Sequence, residues 1–277
     1  MTSADARDAA RRIEAMGAGA LWIAETGMSK DIFAHATLVL SWTERIPLAT
    51  GIANIWARDA VAMQNGARAL GDAFPGRFVL GLGISHAPVV RRRTGGTYDK
   101  PIGRMREYLD AMDAARYVGP EPAQMPPRVL AALGPQMLRL ARERAAGAHP
   151  YFVPVEHTAL ARKTLGEGPV LAVEQAVVFE TDPARARETA RAHMSGYTRL
   201  DNYANNLRRL GWSDEEIATP SDRLVDAIVA WGPLERIVDR VLTHRRNGAD
   251  HVCVQPLSAD PQRPPLDRVE ELLRACR

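Results

Sequence analysis

One feature narrows the possible folds more than any other: short apolar runs alternate with segments whose apolar residues repeat at spacings of three and four. Thr2 to Met16 places Ala6, Ala9, Ile13 and Met16 on one helical face, and after a Gly-Ala-Gly turn "ALWI" reads as a strand. A helix near Asp31 to Trp42, the strand "IPLATGIA", a helix near Arg58 to Ala73 and the strand "RFVLGLG" repeat the pattern. A helix carrying Ile102, Met105, Leu109 and Met112 follows. The stretch "RVLAALGPQMLRLARERAAGAHPYFVP" then contributes a strand, a helix and a strand, and "PVLAVEQAVVF" and "DHVCVQPL" close the series.

The runs are apolar on both faces, as parallel strands covered by helices should be. Alternating units over 277 residues predict an α/β fold, a (β/α)8 TIM-type barrel. Strands are expected to start near Ala20, Ile46, Phe78, Val129, His149, Val170 and His251. That is one strand short of a full barrel. The chain opens on the helix that should follow strand one, so the barrel is read as lacking its first strand, which leaves two open edges. Residues 1–277 are read as a single domain, with residues 185–232 a helical insertion between strands seven and eight.

Composition excludes several functions. Lys and Arg number 36 against 33 Asp and Glu, with no basic block, so a nucleic-acid footprint is missing and a small acidic ligand fits better. Cys253 and Cys276 have no spacing that builds a metal site, and Glu156-His157 in "PVEHTALAR" lacks a second histidine four residues on. No metal is expected. No run approaches the ~18 apolar residues of a membrane span, so a cytoplasmic protein is expected. There is no GxSxG and no P-loop lysine.

In a parallel barrel the loops at the C-terminal strand ends form the site. Position alone therefore nominates Glu25, Thr50 to Asn54, Ser85, His86, Gly134, Tyr151, Glu174, Gln175 and Gln255. In "LGPQML", Gly134 permits close backbone approach and Pro135 suits the first helical position, so the amides of Gln136 and Met137 would form an anion cradle at the positive end of the helix dipole. A ligand-free strand-to-helix turn is the alternative. "GLGIS" is not a dinucleotide fingerprint, because GxGxxG needs glycine where His86 stands. Its glycines read instead as room for a flat ring, with Ser85 and His86 as polar contacts, although a structural histidine satisfies the same sequence. Gly51 and Asn54 in "ATGIANIWARD" suit either a bulge supporting a planar ligand or a plain loop. "GYTRLDNYANNLRRLGWSDEEI", with Tyr197, Tyr203 and Trp212, suits a lid or a dimer contact.

Taken in order, "LATGIANIWARD", "GRFVLGLGISHAP", "YDKPIGRMREYLDAMDAA", "PPRVLAALGPQMLRLARERAAGAHPYFVP" and "NGADHVCVQ" resemble the luciferase-like monooxygenase superfamily, in particular its branch using the deazaflavin coenzyme F420. The likeness runs from about Gly17 onward. It implies a β/α barrel with a tricyclic ring at its mouth, often propped by a bulge with a non-proline cis peptide after the third strand, and a phosphate held after the fifth. Thr50, Gly51, Ile52 and Asn54 would then back the ring, Gly83, Ser85 and His86 would flank it, and Gly134, Pro135, Gln136 and Met137 would hold the phosphate. Tyr151 joins the cofactor-binding set.

The chain departs from the family at two places: strand one has no counterpart, and "IAET" stands at the end of strand two where several relatives carry histidine. Glu25 is therefore the first candidate for acid or base, His86 the second and Glu174 the third. The implied activity is an F420-dependent oxidoreductase acting on a small molecule. An FMN-dependent monooxygenase and a non-catalytic cofactor-binding barrel are the alternatives. Because relatives commonly dimerise and an open edge favours burial, a homodimer is expected.

Overall fold

The computed structural model describes residues 1–26, 28–258 and 264–277. The chain divides into two compact units, one of residues 1–131 and 139–147, the other of residues 132–138 and 148–277.

The first unit opens on α1 (Ser3–Ala15), started by a reciprocal capping box between Thr2 and Asp5. Among the described residues no strand precedes β1 (Leu21–Ile23). There follow α2 (Ile32–Trp42), β2 (Leu48–Thr50), β3 (Ala53–Asn54), α3 (Ala60–Ala73), β4 (Phe78–Gly83), α4 (Ala87–Thr94), α5 (Pro101–Asp113) and β5 (Arg128–Leu130). Asp31 and Asp59 cap α2 and α3 by accepting from amides of their first turns. The Glu14 carboxylate accepts from the amides of Glu44, Arg45 and Ile46 at 2.7 to 3.2 Å, so α1 is tied to the entry of β2.

β1, β2, β4 and β5 pair in that order, all parallel. β3 lies on the same partner as β2: Ala49 is opposite Val79 and Ala53 is opposite Leu82. Four steps along one strand (53 − 49) face three along the other (82 − 79), which defines a β-bulge at Gly51-Ile52. The run "IPLATGIA", expected as one strand, is divided by this bulge into β2 and β3.

α6 (Pro135–Arg144) begins in the second unit and ends in the first, and is followed by β6 (Gly147–Ala148). The second unit continues with α7 (Val155–Leu165), β7 (Val170–Val178), α8 (Pro183–Met194), α9 (Asp201–Arg209), α10 (Asp214–Ala218), α11 (Asp222–Ile228), β8 (Val229–Trp231), α12 (Leu234–Arg246), β9 (His251–Pro256) and α13 (Leu266–Ala275). β7 is buried over eight of its nine residues and pairs in parallel with β9 along Ala172 to Val177 and with β8 along Ala176 to Val178. Residues 185–232, expected to be wholly helical, thus contain a strand. Three residues, VAW, are too short to carry a periodicity, and their pairing with β7 makes them a strand.

On the helix side of β7 a buried polar chain runs from Thr158 to His244 to Gln175. Thr158 Oγ1 lies 2.8 Å from His244 Nδ1, and His244 Nε2 lies 2.9 Å from Gln175 Oε1. Burial lowers the His244 pKa to about 4, so the ring is neutral, accepting from the threonine and donating to the amide. Gln175 Nε2 in turn donates to the carbonyl of Ile228. Gln175, nominated by position as a site residue, is therefore a packing residue that holds the start of β8 and the end of α12 against β7. Among the described residues no helix is long and apolar enough to cross a membrane.

Candidate active site

In the first unit the candidate residues meet at the bulge. Thr50 is fully buried, and its hydroxyl donates to the Gly81 carbonyl at 2.7 Å and accepts from the Gly81 amide at 2.8 Å. The Thr50 carbonyl lies 1.8 Å from where a Cβ on Gly81 would stand, so only glycine fits there. A Cβ on Gly83 would likewise meet Ile52 Cγ1 at 2.4 Å. The space above both glycines is filled by protein. They make room for the bulge to press against β4, which corrects the expectation that a flat ring lies directly on them.

The Gly51-Ile52 peptide is cis and not followed by proline, at the place the resemblance indicated. The Gly51 amide donates to the Ile23 carbonyl at 2.7 Å, and the Ile55 amide to the Gly83 carbonyl at 3.1 Å. Asn54 is buried and its Oδ1 accepts from the Trp56 amide, while the Trp56 indole donates to the Ile84 carbonyl. Every flank of the bulge is fixed by hydrogen bonds.

Glu25 locks this arrangement. Its Oε2 accepts from the Asn54 amide at 2.7 Å and from Arg58 Nη1 at 3.2 Å, and its Oε1 accepts from Arg58 Nη2 at 2.8 Å. Arg58 also pairs with Asp31 at 3.0 Å and lies over the Phe33 ring. The carboxylate chosen first for proton transfer has both oxygens committed to a guanidinium and a backbone amide. Ser85 takes a left-handed φ of 59°, and its carbonyl accepts from the Tyr98 hydroxyl at 3.1 Å. His86, half-buried, stands at the head of α4. A cleft of about 310 Å³ in this unit is lined by Trp56, Arg58, Asp59, Arg104 and Tyr108, among others, and by none of the nominated residues. The strand ends, with their committed polar groups, are the better guide to the site.

In the second unit Glu174 and Tyr151 stand close together. Glu174 Oε2 accepts from the Phe152 amide at 3.0 Å, while its Oε1 is buried with no hydrogen-bond partner among the described residues. Burial lifts the Glu174 pKa to about 7, against the smaller downward pull of that amide. Phe152 itself adopts a left-handed φ of 59°. The Tyr151 hydroxyl lies 2.9 Å from Gln255 Oε1 and 3.0 Å from the Tyr197 hydroxyl. Since Tyr151 has one proton, it donates to the glutamine and accepts from Tyr197. Tyr197 stacks on Phe152 at 5.2 Å, and Tyr203 meets the same ring edge-on at 5.3 Å. The tyrosines of α9 and the preceding turn are fastened within the chain onto the residues after β6.

At the head of α6 the Gly134 carbonyl accepts from the Leu138 amide at 3.1 Å. The amides of Gln136 and Met137 precede that first helical bond and have no intrahelical acceptor. Pro135 and Gln136 are exposed, Gly134 is half-buried and Met137 is buried. Arg209 Nη2 lies 3.4 Å from where a Cβ on Gly134 would stand, and donates to Asn206 Oδ1 at 3.2 Å. Sequence reasoning missed Arg209, Asn206 and Arg58. The three-residue spacing of Asn206 and Arg209 on one helix was the only local signal.

A solved F420-dependent secondary alcohol dehydrogenase, in complex with an F420-acetone adduct, superposes with a TM-score of 0.80 at 15% identity, covering 100% of this chain and 96% of that one. The coenzyme F420-dependent tetrahydromethanopterin reductase of Methanopyrus kandleri gives 0.74 at 17% identity, over 99% and 94%. The chain shares the α/β fold of these enzymes, the TIM-type barrel read from the sequence. A Mycobacterium tuberculosis protein, provisionally named a coenzyme F420-dependent oxidoreductase, is 24% identical over 80% of this chain and 83% of its own length. Residues 1–251 match the family described as luciferase-like monooxygenase. With a bulge at the end of β2, a proline-led helix after β5 and a family match over most of its length, this chain belongs to the luciferase-like monooxygenase family.

Proposed function

We propose that this chain is an oxidoreductase that uses coenzyme F420 to move a hydride to or from a small organic substrate. When bound, F420 supplies a two-electron hydride carrier, so the protein's task is binding, orientation and proton management. The observation that carries the reading is the head of α6, where two amides with no acceptor among the described residues follow Gly134 and Pro135 and suit a phosphate group. Gly134, Pro135, Gln136 and Met137 would hold that phosphate. Thr50, Gly51, Ile52 and Asn54 would back the ring, with Ile52 the side chain seated on Gly83. Ser85, His86 and Tyr151 complete the binding set, while Gly83 serves it only by seating Ile52. The F420-dependent relatives named above support the choice of cofactor.

Proton handling falls to Glu174. Its buried Oε1 has no partner among the described residues, and its pKa of about 7 suits exchange near neutrality. Glu25 keeps the bulge in shape, and His86 is the second candidate for proton transfer. The chain is read as a homodimer, and a monomer peak in sizing chromatography overturns that part.

Titrating the purified protein with F420 and with FMN tests the reading. Saturable quenching of F420 fluorescence, without oxygen uptake after reduction, is the expected result. Preferential FMN binding with rapid oxygen uptake turns the assignment to a monooxygenase, and binding of neither sinks it.

A further inference from the structure

Arg209 is exposed at the end of α9, and among the described residues its guanidinium pairs with no carboxylate. Most arginines around it are paired: Arg187 with Asp222 and Asp226, Arg191 with Asp222, Arg208 with Asp214, and Arg223 with Glu216. Arg209 instead reaches over Gly134, at the N-terminal end of α6. A cation aimed at the positive end of a helix dipole is electrostatically opposed unless an anion lies between them. A second observation points the same way. Asn206 is only 2% exposed, its Oδ1 holds Arg209, and its Nδ2 is a buried donor with no acceptor among the described residues. Such a donor costs free energy until an acceptor reaches it.

We infer that Arg209 and Asn206, both from α9, complete an anion site with the amides of Gln136 and Met137, so that α9 grips a phosphate monoester or diester from the side opposite α6. This rests on the proposed F420 reading and extends it. The segment after β7 becomes part of cofactor binding, with Arg209 a positioning residue whose planar fork sets the phosphate orientation. Arg209 performs no chemistry.

The test compares wild type, Arg209→Ala and Arg209→Lys by fluorescence titration with F420 and with its phosphate-free deazaflavin core. Arg209→Ala is expected to weaken F420 binding about tenfold and Arg209→Lys by less, with the phosphate-free core bound equally by all three. Equal F420 affinity for wild type and Arg209→Ala overturns the inference while leaving the F420 reading intact, as does an equal loss for the phosphate-free core. Should wild type bind no F420, the functional reading fails on its own, and inorganic phosphate decides the site. A rise in melting temperature with phosphate in wild type, absent in Arg209→Ala, retains the anion site, and no rise in wild type overturns it.

Discussion

Two glutamates, one in each unit, have opposite surroundings. Glu25 sits at the end of β1 with a side chain 6% exposed, and its two oxygens take three hydrogen bonds, two of them from Arg58. Glu174 sits in the middle of β7, is 4% exposed, and has one amide for two oxygens. Both side chains are largely shielded from solvent, so shielding alone does not decide what a carboxylate can do. The supply of donors differs: Glu25 is held by Arg58 and a backbone amide and shapes the bulge, whereas burial beside a single amide raises the Glu174 pKa.

The largest effect should come from breaking the paired side. Glu25→Ala leaves Arg58 half-compensated in a site 14% exposed, and unfolding in urea should show a loss of about 4 kcal/mol. A loss under about 1 kcal/mol would put Glu25 back among the dispensable surface charges. Next comes the pH dependence of Glu174. Its folded pKa of about 7 lies above the ordinary 4.5, so the folded state retains a proton that the unfolded chain has released. That stability is fully present below about pH 4.5, declines as pH rises towards 7 and is gone above it, a change of about 3 kcal/mol. Glu174→Gln should flatten this slope across pH 5 to 8, and a slope equal to wild type would show that the carboxyl is already ionised.

A smaller effect, about 1 kcal/mol, is expected for Asp31→Ala, which removes the cap of α2 along with the outer partner of Arg58. If Glu25 alone fixes Arg58, this loss should be no greater after Glu25 has been replaced. Tyr197→Phe should cost least, about 0.5 kcal/mol by thermal melting, because Tyr151 keeps its bond to Gln255 and the ring keeps its stacking on Phe152. A tenfold or greater fall in turnover in that variant, with stability unchanged, would extend proton handling from Glu174 to the tyrosines.

Much of the scaffold is readable because it depends on local pattern. The strands expected near Ala20, Ile46, Phe78, Val129, His149, Val170 and His251 correspond to β1, β2, β4, β5, β6, β7 and β9, each starting within two residues of the expected position. β3 and β8 escaped because two or three residues have no period, and their existence is decided by a partner strand. The site was legible only in its backbone features. The bulge was signalled by Gly51 and Asn54, and the α6 head by Gly134 and Pro135. Side-chain commitments were not: Arg58 lies 33 positions from Glu25, and Thr50 Oγ1 reaches Gly81 across 31. The glycines of β4 were read as clearance for a ligand, since sequence cannot tell which neighbour uses a missing Cβ.

The adjacent pair Glu174-Gln175 has a consequence for how β7 settles beside β9. Neighbouring residues of a strand point to opposite faces, so the acid and the amide are sorted onto different sides, opposite Cys253 and Val254 respectively. A slip of one residue would exchange them, placing a carboxylate where His244 expects an acceptor amide and removing the donor that reaches Ile228. Two consecutive polar letters inside an otherwise oily ribbon thus act as a key that admits a single alignment.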